Sequence, residues 1–377
     1  MIPAAHAVLD LAALNHNLQR VRESAPGAKI MAVIKANGYG HGMVRIAKGL
    51  SGVDAFAVAR VDEGIRLRYC GIETRIAVLE GFATQEELDL HQQYDLEPII
   101  HAQEQVKMLE ACRSGSKLSV WLKLDSGMHR LGFAASEYRS VYQCLSHCNR
   151  VKAIAHMTHF ANADDLEDPT TPRQIELFRH VTADHEGERS VANSAGVLGW
   201  KESHSDWVRP GLMLLGGSPF PGRQGRDFGL RPVMSLRSRI LSVKKLLPGD
   251  AVGYGGTWVC QKPTLMGVVA AGYGDGYPRH AKTGTPALVN GKRASVIGRI
   301  SMDMITLDLS ACPEAKAGDS VILWGADLPV EEIARYADTI SYTLLCGVTQ
   351  RVRVFEEGFA QSERIPKTNV YPWRKVK

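Results

Sequence analysis

The sequence predicts an α/β fold: an N-terminal (β/α)8 TIM-type barrel followed by a mainly β C-terminal domain. Three observations carry this. From Lys29 to about Gly217, short apolar runs alternate with amphipathic stretches at a period of roughly 20–30 residues. The alternation gives about eight βα units, the number that closes such a barrel. From about Leu230 the texture changes to short β-rich runs separated by Gly, Pro and Asp. The expected division is 1–230 for the barrel and 231–377 for the β domain, with a first strand at about 1–10 pairing with the latter.

The barrel strands are expected at Ile30–Ile34, Ala55–Val58, Ile76–Leu79, Leu96–Ile99, Leu118–Leu124, Ala153–Met157, Ser190–Asn193 and Trp207–Arg209. Helical periodicity falls between them at Val61–Tyr69, Gln85–Gln92, Gln103–Arg113, Glu137–Leu145, Arg173–Asp184 and Ala195–Trp200. The β domain reads as Val233–Val243, Leu265–Ala271, Ala287–Val289, Ala294–Ile297, Ile305–Leu309 and Ser320–Leu323. It shows one clear helix, Val330–Tyr336, introduced by Asp327 and Pro329.

At 377 residues, with 45% hydrophobic and 23% charged residues, the chain has the composition of a soluble two-domain protein. The net charge of +5 is spread thinly. Its one basic cluster, Lys367, Arg374, Lys375 and Lys377, lacks the charge density of a nucleic-acid surface. Seven cysteines form no C-x-x-C pair and no metal-type spacing with histidine, which suggests reduced thiols in a cytoplasmic protein. Neither a secretory signal at Met1–Leu11 nor a membrane-spanning apolar run is read.

The most informative stretch is Ala32-Val33-Ile34-Lys35-Ala36-Asn37-Gly38-Tyr39-Gly40-His41-Gly42. A lysine at the mouth of a buried strand is costly unless the site uses it, and desolvation lowers its pKa toward that of a working amine. Such an amine can form a Schiff base and move protons. The alternating glycines let backbone N–H groups approach an anion, so the stretch points to a lysine that holds pyridoxal phosphate. A nucleotide loop is the rival reading. The glycines run G-x-G-x-G, however, and the next strand ends in Arg60 instead of a ribose-binding acid. Lys35, Arg130, His159, Asn193–Ser194 and Arg209 all fall where strands end and βα loops begin, the place where barrel chemistry sits.

Further motifs recur along nearly the whole chain. They are Lys123 to Gly132 (KLDSGMHRLG), Thr158-His159-Phe160-Ala161, Ala192-Asn193-Ser194, Val208-Arg209-Pro210-Gly211, Gly253-Tyr254-Gly255-Gly256-Thr257, Gly272-Tyr273-Gly274-Asp275-Gly276 and Gly298 to Asp303 (GRISMD). With the Lys35 stretch, and in this order, they resemble the alanine racemases, pyridoxal-phosphate enzymes of the barrel-plus-β-domain class. The resemblance implies that Lys35 is the Schiff-base lysine and one catalytic base, and that Tyr254 is the second. Racemisation removes a proton from one face of Cα and returns one to the other, which a single fixed base does poorly.

By the same resemblance, His159 and Arg209 belong to a hydrogen-bonded chain reaching Tyr254, and Arg209 faces the cofactor's pyridine nitrogen. His156 and His159 read as facing opposite sides of a strand, so no metal is expected. Arg130 matches the contact to the cofactor's phenolic oxygen and the substrate carboxylate, with Lys123, carbamylated in many relatives, holding it. Tyr39, Ser194, Gly211 and Tyr342 match the phosphate-binding set, although Ser341-Tyr342-Thr343 also suits an edge strand. Met302 matches a backbone contact to the substrate carboxylate, Tyr273 narrows the entrance, and Asp303 is a supporting residue. A homodimer with shared active sites is implied, Tyr254 and Met302 reaching into the other subunit. The expected product is D-alanine for peptidoglycan, or the enzyme feeds alanine catabolism. One departure from the family pattern is Leu215, where many relatives carry Tyr-Gly.

Three other functions compete. A basic-amino-acid decarboxylase of this fold would need a Cys–Asp substrate site where this chain has Ser301-Met302-Asp303. A broader racemase usually bears an export signal. A non-catalytic pyridoxal-phosphate carrier would stop near residue 235 and lack Tyr254.

Overall fold

The structure, a computed structural model, describes residues 4–357. The basic cluster of the C-terminal tail lies outside them. The chain opens with strand β1 (His6–Asp10) and then forms eight parallel strands that close into a barrel. These are β2 (Lys29–Val33), β3 (Ala55–Val58), β4 (Arg75–Val78), β5 (Glu97–Ile100), β6 (Leu118–Lys123), β7 (Val151–Met157), β8 (Arg189–Ser190) and β9 (Trp207–Val208). Closure is made by Lys29 beside Trp207 and Ile30 beside Val208. Most of the strands are short apolar runs buried on both faces, as parallel sheets covered by helices require.

A helix the sequence reading does not name, Leu11–Ser24, packs against the barrel through Leu11, Leu14, Leu18 and Val21. That spacing makes one apolar stripe. The Asp10 side chain caps the helix by accepting from Ala13 N at 2.9 Å. Buried Asn17 then ties the helix to the loop after β9, donating to the carbonyls of Leu214 (3.0 Å) and Arg231 (2.8 Å).

The N-terminal end of the barrel is plugged by aromatic rings. Trp121 and Trp207 meet edge to face, 5.8 Å between centroids. Their indole N–H groups each donate at 2.8 Å, Trp121 to Glu97 and Trp207 to Glu188. Arg75 binds Glu97 through two hydrogen bonds and lies 4.9 Å from the Trp207 ring, while Lys29 pairs with Glu188. These charges sit at the end where a barrel keeps its stability determinants, which leaves the opposite end for chemistry.

Beyond the barrel come β10 (Met234–Leu246), β11 (Ala251–Val252), β12 (Trp258–Val259), β13 (Thr264–Val269), β14 (Pro286–Val289), β15 (Lys292–Val296), β16 (Ile305–Asp308), β17 (Ser320–Trp324) and β18 (Arg353–Glu357). β11 and β12 pair only with each other; the rest join β1 in a sheet of order β13-β16-β15-β14-β17-β10-β1-β18, and β10 also pairs with β13. That extra pairing closes the first six strands of the list into a ring, which removes their free edges. Strand β1 pairs antiparallel with β10 and parallel with β18, so the start of the chain belongs to this sheet. One apolar core runs from the barrel into the β region. No helix of the described residues is long and apolar enough to cross a membrane.

Among the described residues the β region holds two α-helices, not one: Val330–Tyr336 and Ser341–Gly347. Tyr342 therefore lies on a helix, and the edge-strand reading of Ser-Tyr-Thr does not hold. The helix buries Ser341, Leu344 and Leu345 at helical spacing, too short a pattern to separate from a strand by periodicity.

Trp121→Ala should lower stability by about 3–5 kcal/mol, the usual result of truncating a buried aromatic. A shift of the denaturant midpoint checks this, and no shift would show that the plug is dispensable.

Candidate active site

The chain turns sharply after β2. Ala36, Asn37, Gly38, Tyr39 and Gly40 all have left-handed backbone, with φ of 52°, 54°, 65°, 50° and 80°. For residues bearing a Cβ this conformation costs about 1–2 kcal/mol each. Several bonds hold it: Gly38 N to Ile34 O (2.8 Å), Gly42 N to Asn37 O (2.8 Å) and Met43 N to Asn37 Oδ1 (3.1 Å). The glycine amides are thus used inside the turn and are not offered to an anion, contrary to the sequence expectation. Their value is conformational. Gly40 also lets the carbonyl of Leu345 approach where a Cβ would collide, which seats the helix Ser341–Gly347 on the turn.

The strained turn puts Lys35 at the barrel mouth, half-buried. Its pKa is lowered by burial first and then by Arg130, against opposition from Glu63 and Glu80. Glu63 anchors the turn itself, its carboxylate accepting from Ala36 N at 2.9 Å and Ala59 N at 2.8 Å.

Residues from separate strands converge around Lys35. Lys123, the last residue of β6, is buried, and burial with Arg209 and Arg130 lowers its pKa to about 8. Arg209 follows β9 and is 4% exposed. Its guanidinium donates to Ser190 Oγ at 2.7 Å and to the carbonyls of Thr158 and Val191, and it meets His159 Nδ1 at 3.4 Å. Burial lowers the Arg209 pKa to about 10, which leaves it charged at neutral pH. Burial, with Arg209 and Lys123, drives the His159 pKa well below its ordinary value, so this imidazole is neutral. Gln174, on the helix Thr170–Thr182, fixes the His159 loop by donating to the His159 carbonyl at 3.2 Å. Arg130 is exposed, and no hydrogen bond or ion pair joins it to another described residue.

A second corner of the mouth carries hydroxyl groups. Ser194 Oγ accepts from Gly211 N (2.9 Å) and Met213 N (3.3 Å), so its own proton is free to donate elsewhere. A Cβ on Gly211 would sit 2.5 Å from the Tyr39 hydroxyl, so only glycine leaves that phenol its place. The Tyr39 and Tyr342 rings lie 5.9 Å apart. Burial, then Tyr342, raises the Tyr39 pKa, and burial with Asp164 pushes Tyr342 up to about 12, so both keep their protons. Neither phenol hydrogen-bonds another described residue. Three hydroxyl donors therefore face one corner without protein acceptors.

The structure thus gathers Lys35, Tyr39, Lys123, Arg130, His159, Ser194, Arg209, Gly211 and Tyr342 at one end of the barrel. It leaves Tyr254, Tyr273, Met302 and Asp303 elsewhere. Tyr254 is 71% exposed and Met302 52%, both on the β domain. Among the described residues, no hydrogen bond, ring contact or ion pair joins Tyr254 to the barrel mouth. His156 faces away from the site, its Nδ1 2.8 Å from the Tyr138 hydroxyl, and no metal-type cluster occurs among the described residues. Glu63, Gln174 and Cys346, whose thiol is electrostatically linked to Lys35, escaped the sequence reading. Only Glu63, at the third position of a helix, carried a sequence signal.

Comparison with known proteins agrees over both halves. Residues 9–219 match the family described as alanine racemase, N-terminal domain, and 233–355 match alanine racemase, C-terminal domain. The chain is 46% identical to the alanine racemase of Vibrio vulnificus, covering 93% of this chain and 98% of that one. It is 50% identical to the alanine racemase of Nitrosococcus oceani, covering 92% and 97%. Among solved structures it resembles the biosynthetic alanine racemase of Pseudomonas aeruginosa, with a TM-score of 0.92 and 42% identity over 95% of this chain and all of that one. The Bartonella henselae enzyme, solved with covalently bound pyridoxal phosphate, gives a TM-score of 0.86 and 25% identity over 94% and 100%.

Lys123 generates a pH prediction. Its folded pKa, about 8, lies below the ordinary 10.5, so the unfolded chain binds more protons between those values. The charged form therefore costs stability below about pH 8, and stability rises as pH goes from about 8 to 10.5. Lys123→Met should stabilise the apoprotein at neutral pH, with the advantage fading over that window. Unfolding midpoints taken across it check the sign, and a pH-independent difference would refute it.

Proposed function

We propose that this chain, which belongs to the alanine racemase family and interconverts L- and D-alanine, does so with Lys35 and the Tyr254 of a second copy as acid–base groups on opposite faces of the substrate. One observation carries the reading. The barrel mouth collects a depressed lysine amine, cations and hydroxyl donors, while Tyr254 and Met302 stand exposed on the β domain, away from it. A homodimer in which each β domain completes its partner's barrel mouth accounts for both.

The residues present fit pyridoxal phosphate, the group found covalently bound in the Bartonella henselae relative. Tyr39, Ser194 and Tyr342 would give hydroxyl protons to its phosphate, Arg209 would face the pyridine nitrogen, and Lys35 would meet the aldehyde carbon. When bound, the group supplies an electron sink that acidifies the Cα proton. Lys35, its pKa lowered by burial and by Arg130, takes that proton on one face. Tyr254 of the second copy gives one on the other.

Arg209 keeps its own proton, so a pyridine nitrogen beside it stays unprotonated. A cofactor held this way would be a weaker electron sink, which would favour proton return to Cα. Arg130, free of protein partners, is available to bind the alanine carboxylate together with the Met302 backbone. Lys123, with its pKa lowered to about 8, has enough neutral amine to take up carbon dioxide as a carbamate that would pair with Arg130. Tyr273 narrows a pocket suited to a methyl group. The enzyme would serve D-alanine supply for peptidoglycan, or alanine breakdown, in the cytoplasm.

Tyr254→Phe should lower racemisation by about 10²–10⁴, the usual worth of a positioned proton-transfer group. A chiral assay in both directions checks this, and wild-type rates both ways would refute the two-base reading. Lys35→Ala should be inactive and lose the near-visible absorbance of the bound cofactor. Mixing Lys35→Ala and Tyr254→Phe proteins should restore activity, since hybrid dimers contain one intact site. Mixtures that form hybrids yet stay inactive would refute the shared site.

A further inference from the structure

Two loops of the β domain carry the groups assigned to the substrate pocket. Residues 272–276 bear Tyr273, and residues 301–303 bear Met302. The loops are bound to each other by backbone: Tyr273 N donates to Ser301 O at 3.1 Å and Gly274 N to Met302 O at 2.8 Å. Gly272 faces the Ser301 and Met302 carbonyls so closely that a Cβ there would collide with both.

One side chain from elsewhere spans the pair. The Arg351 guanidinium places Nε 2.9 Å from Asp275 Oδ1 and Nη2 2.6 Å from Asp303 Oδ1. It also lies across Gly274, where a Cβ would come within 2.7 Å of Nη1. Asp275 is only 4% exposed, and its other oxygen accepts from Gly272 N at 2.9 Å. Thr349 adds two bonds to the first loop, its hydroxyl donating to Gly274 O at 2.9 Å and its amide to Asp275 O at 3.2 Å. An isolated surface ion pair would hold little. Here, however, one end is a buried carboxylate that loses its charged partner if the arginine goes, and the fork bridges two loops at once.

We propose that Arg351 is a positioning residue: by gripping Asp275 and Asp303 it holds the loops in the one arrangement that presents Tyr273 and the Met302 backbone to the alanine carboxylate. This rests on the assignment of Met302 and Tyr273 to the substrate pocket. Arg351 touches no substrate in this account, so its loss acts on binding through the loops. Binding contacts shared by ground and transition states set KM and leave kcat alone.

The test uses the holoenzyme with Arg351→Ala, Arg351→Lys and Asp303→Asn. The last alters a half-exposed side chain and keeps the Arg351–Asp275 pair, so it tests the grip without unpairing the buried acid. Expected is a KM for both alanine enantiomers raised about tenfold in Arg351→Ala, with kcat changed less than about threefold and partial rescue in Arg351→Lys. Asp303→Asn should move the same way by a smaller factor. Amide hydrogen exchange at Gly272, Tyr273 and Gly274 should quicken, with the barrel amides unchanged. Unaltered KM and exchange in both Arg351→Ala and Asp303→Asn would overturn the proposal. So would a fall in kcat at constant KM, or a protein loosened throughout in all three variants. Failure of the two-base reading would show separately, as a Lys35→Ala protein that still racemises alanine.

Discussion

Lys35, Lys123, Arg130 and Arg209 crowd one end of a closed barrel, and their mutual repulsion is the constraint on which the site depends. Burial first, and then these neighbouring charges, lower the pKa values of His159, Lys35 and Lys123, so the imidazole is neutral and the two lysines are easier to deprotonate than free lysines. Four basic groups stay close because strands and helices hold them there. Arg209 is fixed by three acceptors, and Arg130 is left open. The arrangement is costly for folding and leaves a positive field at the barrel mouth.

Holding Lys35 in this field takes a second expense, the left-handed run after β2. The strain is offset locally by Asn37 and Glu63 and from a distance by the helix Ser341–Gly347, whose Leu345 carbonyl packs on Gly40. Strained backbone of this kind persists where surrounding structure over-determines it. The same helix brings Tyr342 beside Tyr39, so the β region contributes to the mouth of its own barrel. The chain after this helix continues to Thr349 and Arg351, which grip the loops that carry Tyr273 and Met302.

The division of labour between the two ends of the barrel is physical. At the N-terminal end Trp121, Trp207, Glu97, Glu188, Arg75 and Lys29 satisfy one another in pairs. At the C-terminal end, among the described residues, Lys35, Lys123, Arg130 and Arg209 form no ion pair with an acid, and the hydroxyls of Tyr39 and Tyr342 have no protein acceptor. Polar groups left unmatched at one end, with full pairing at the other, mark where a ligand belongs.

Much of this was legible in the sequence. Apolar runs at the βα period gave the barrel strands to within a few residues, because parallel strands covered on both faces must be continuously hydrophobic. Lys35, His159, Ser194 and Arg209 stood at strand ends, which the barrel topology turns into one site. Other features required the folded chain. The glycines after Lys35 looked like anion donors, yet their amides close a left-handed turn, a distinction set by φ angles that no residue pattern reports. Tyr342 read equally as strand or helix because its segment is too short for periodicity to decide. Gln174, Cys346 and Arg351 act across large sequence separations, so nothing near them in the chain signals their partners. The sequence determined which chemistries were available and which strands would carry them. Tertiary structure decided which side chains share a field, since burial and charge proximity are properties of space, not of order along the chain.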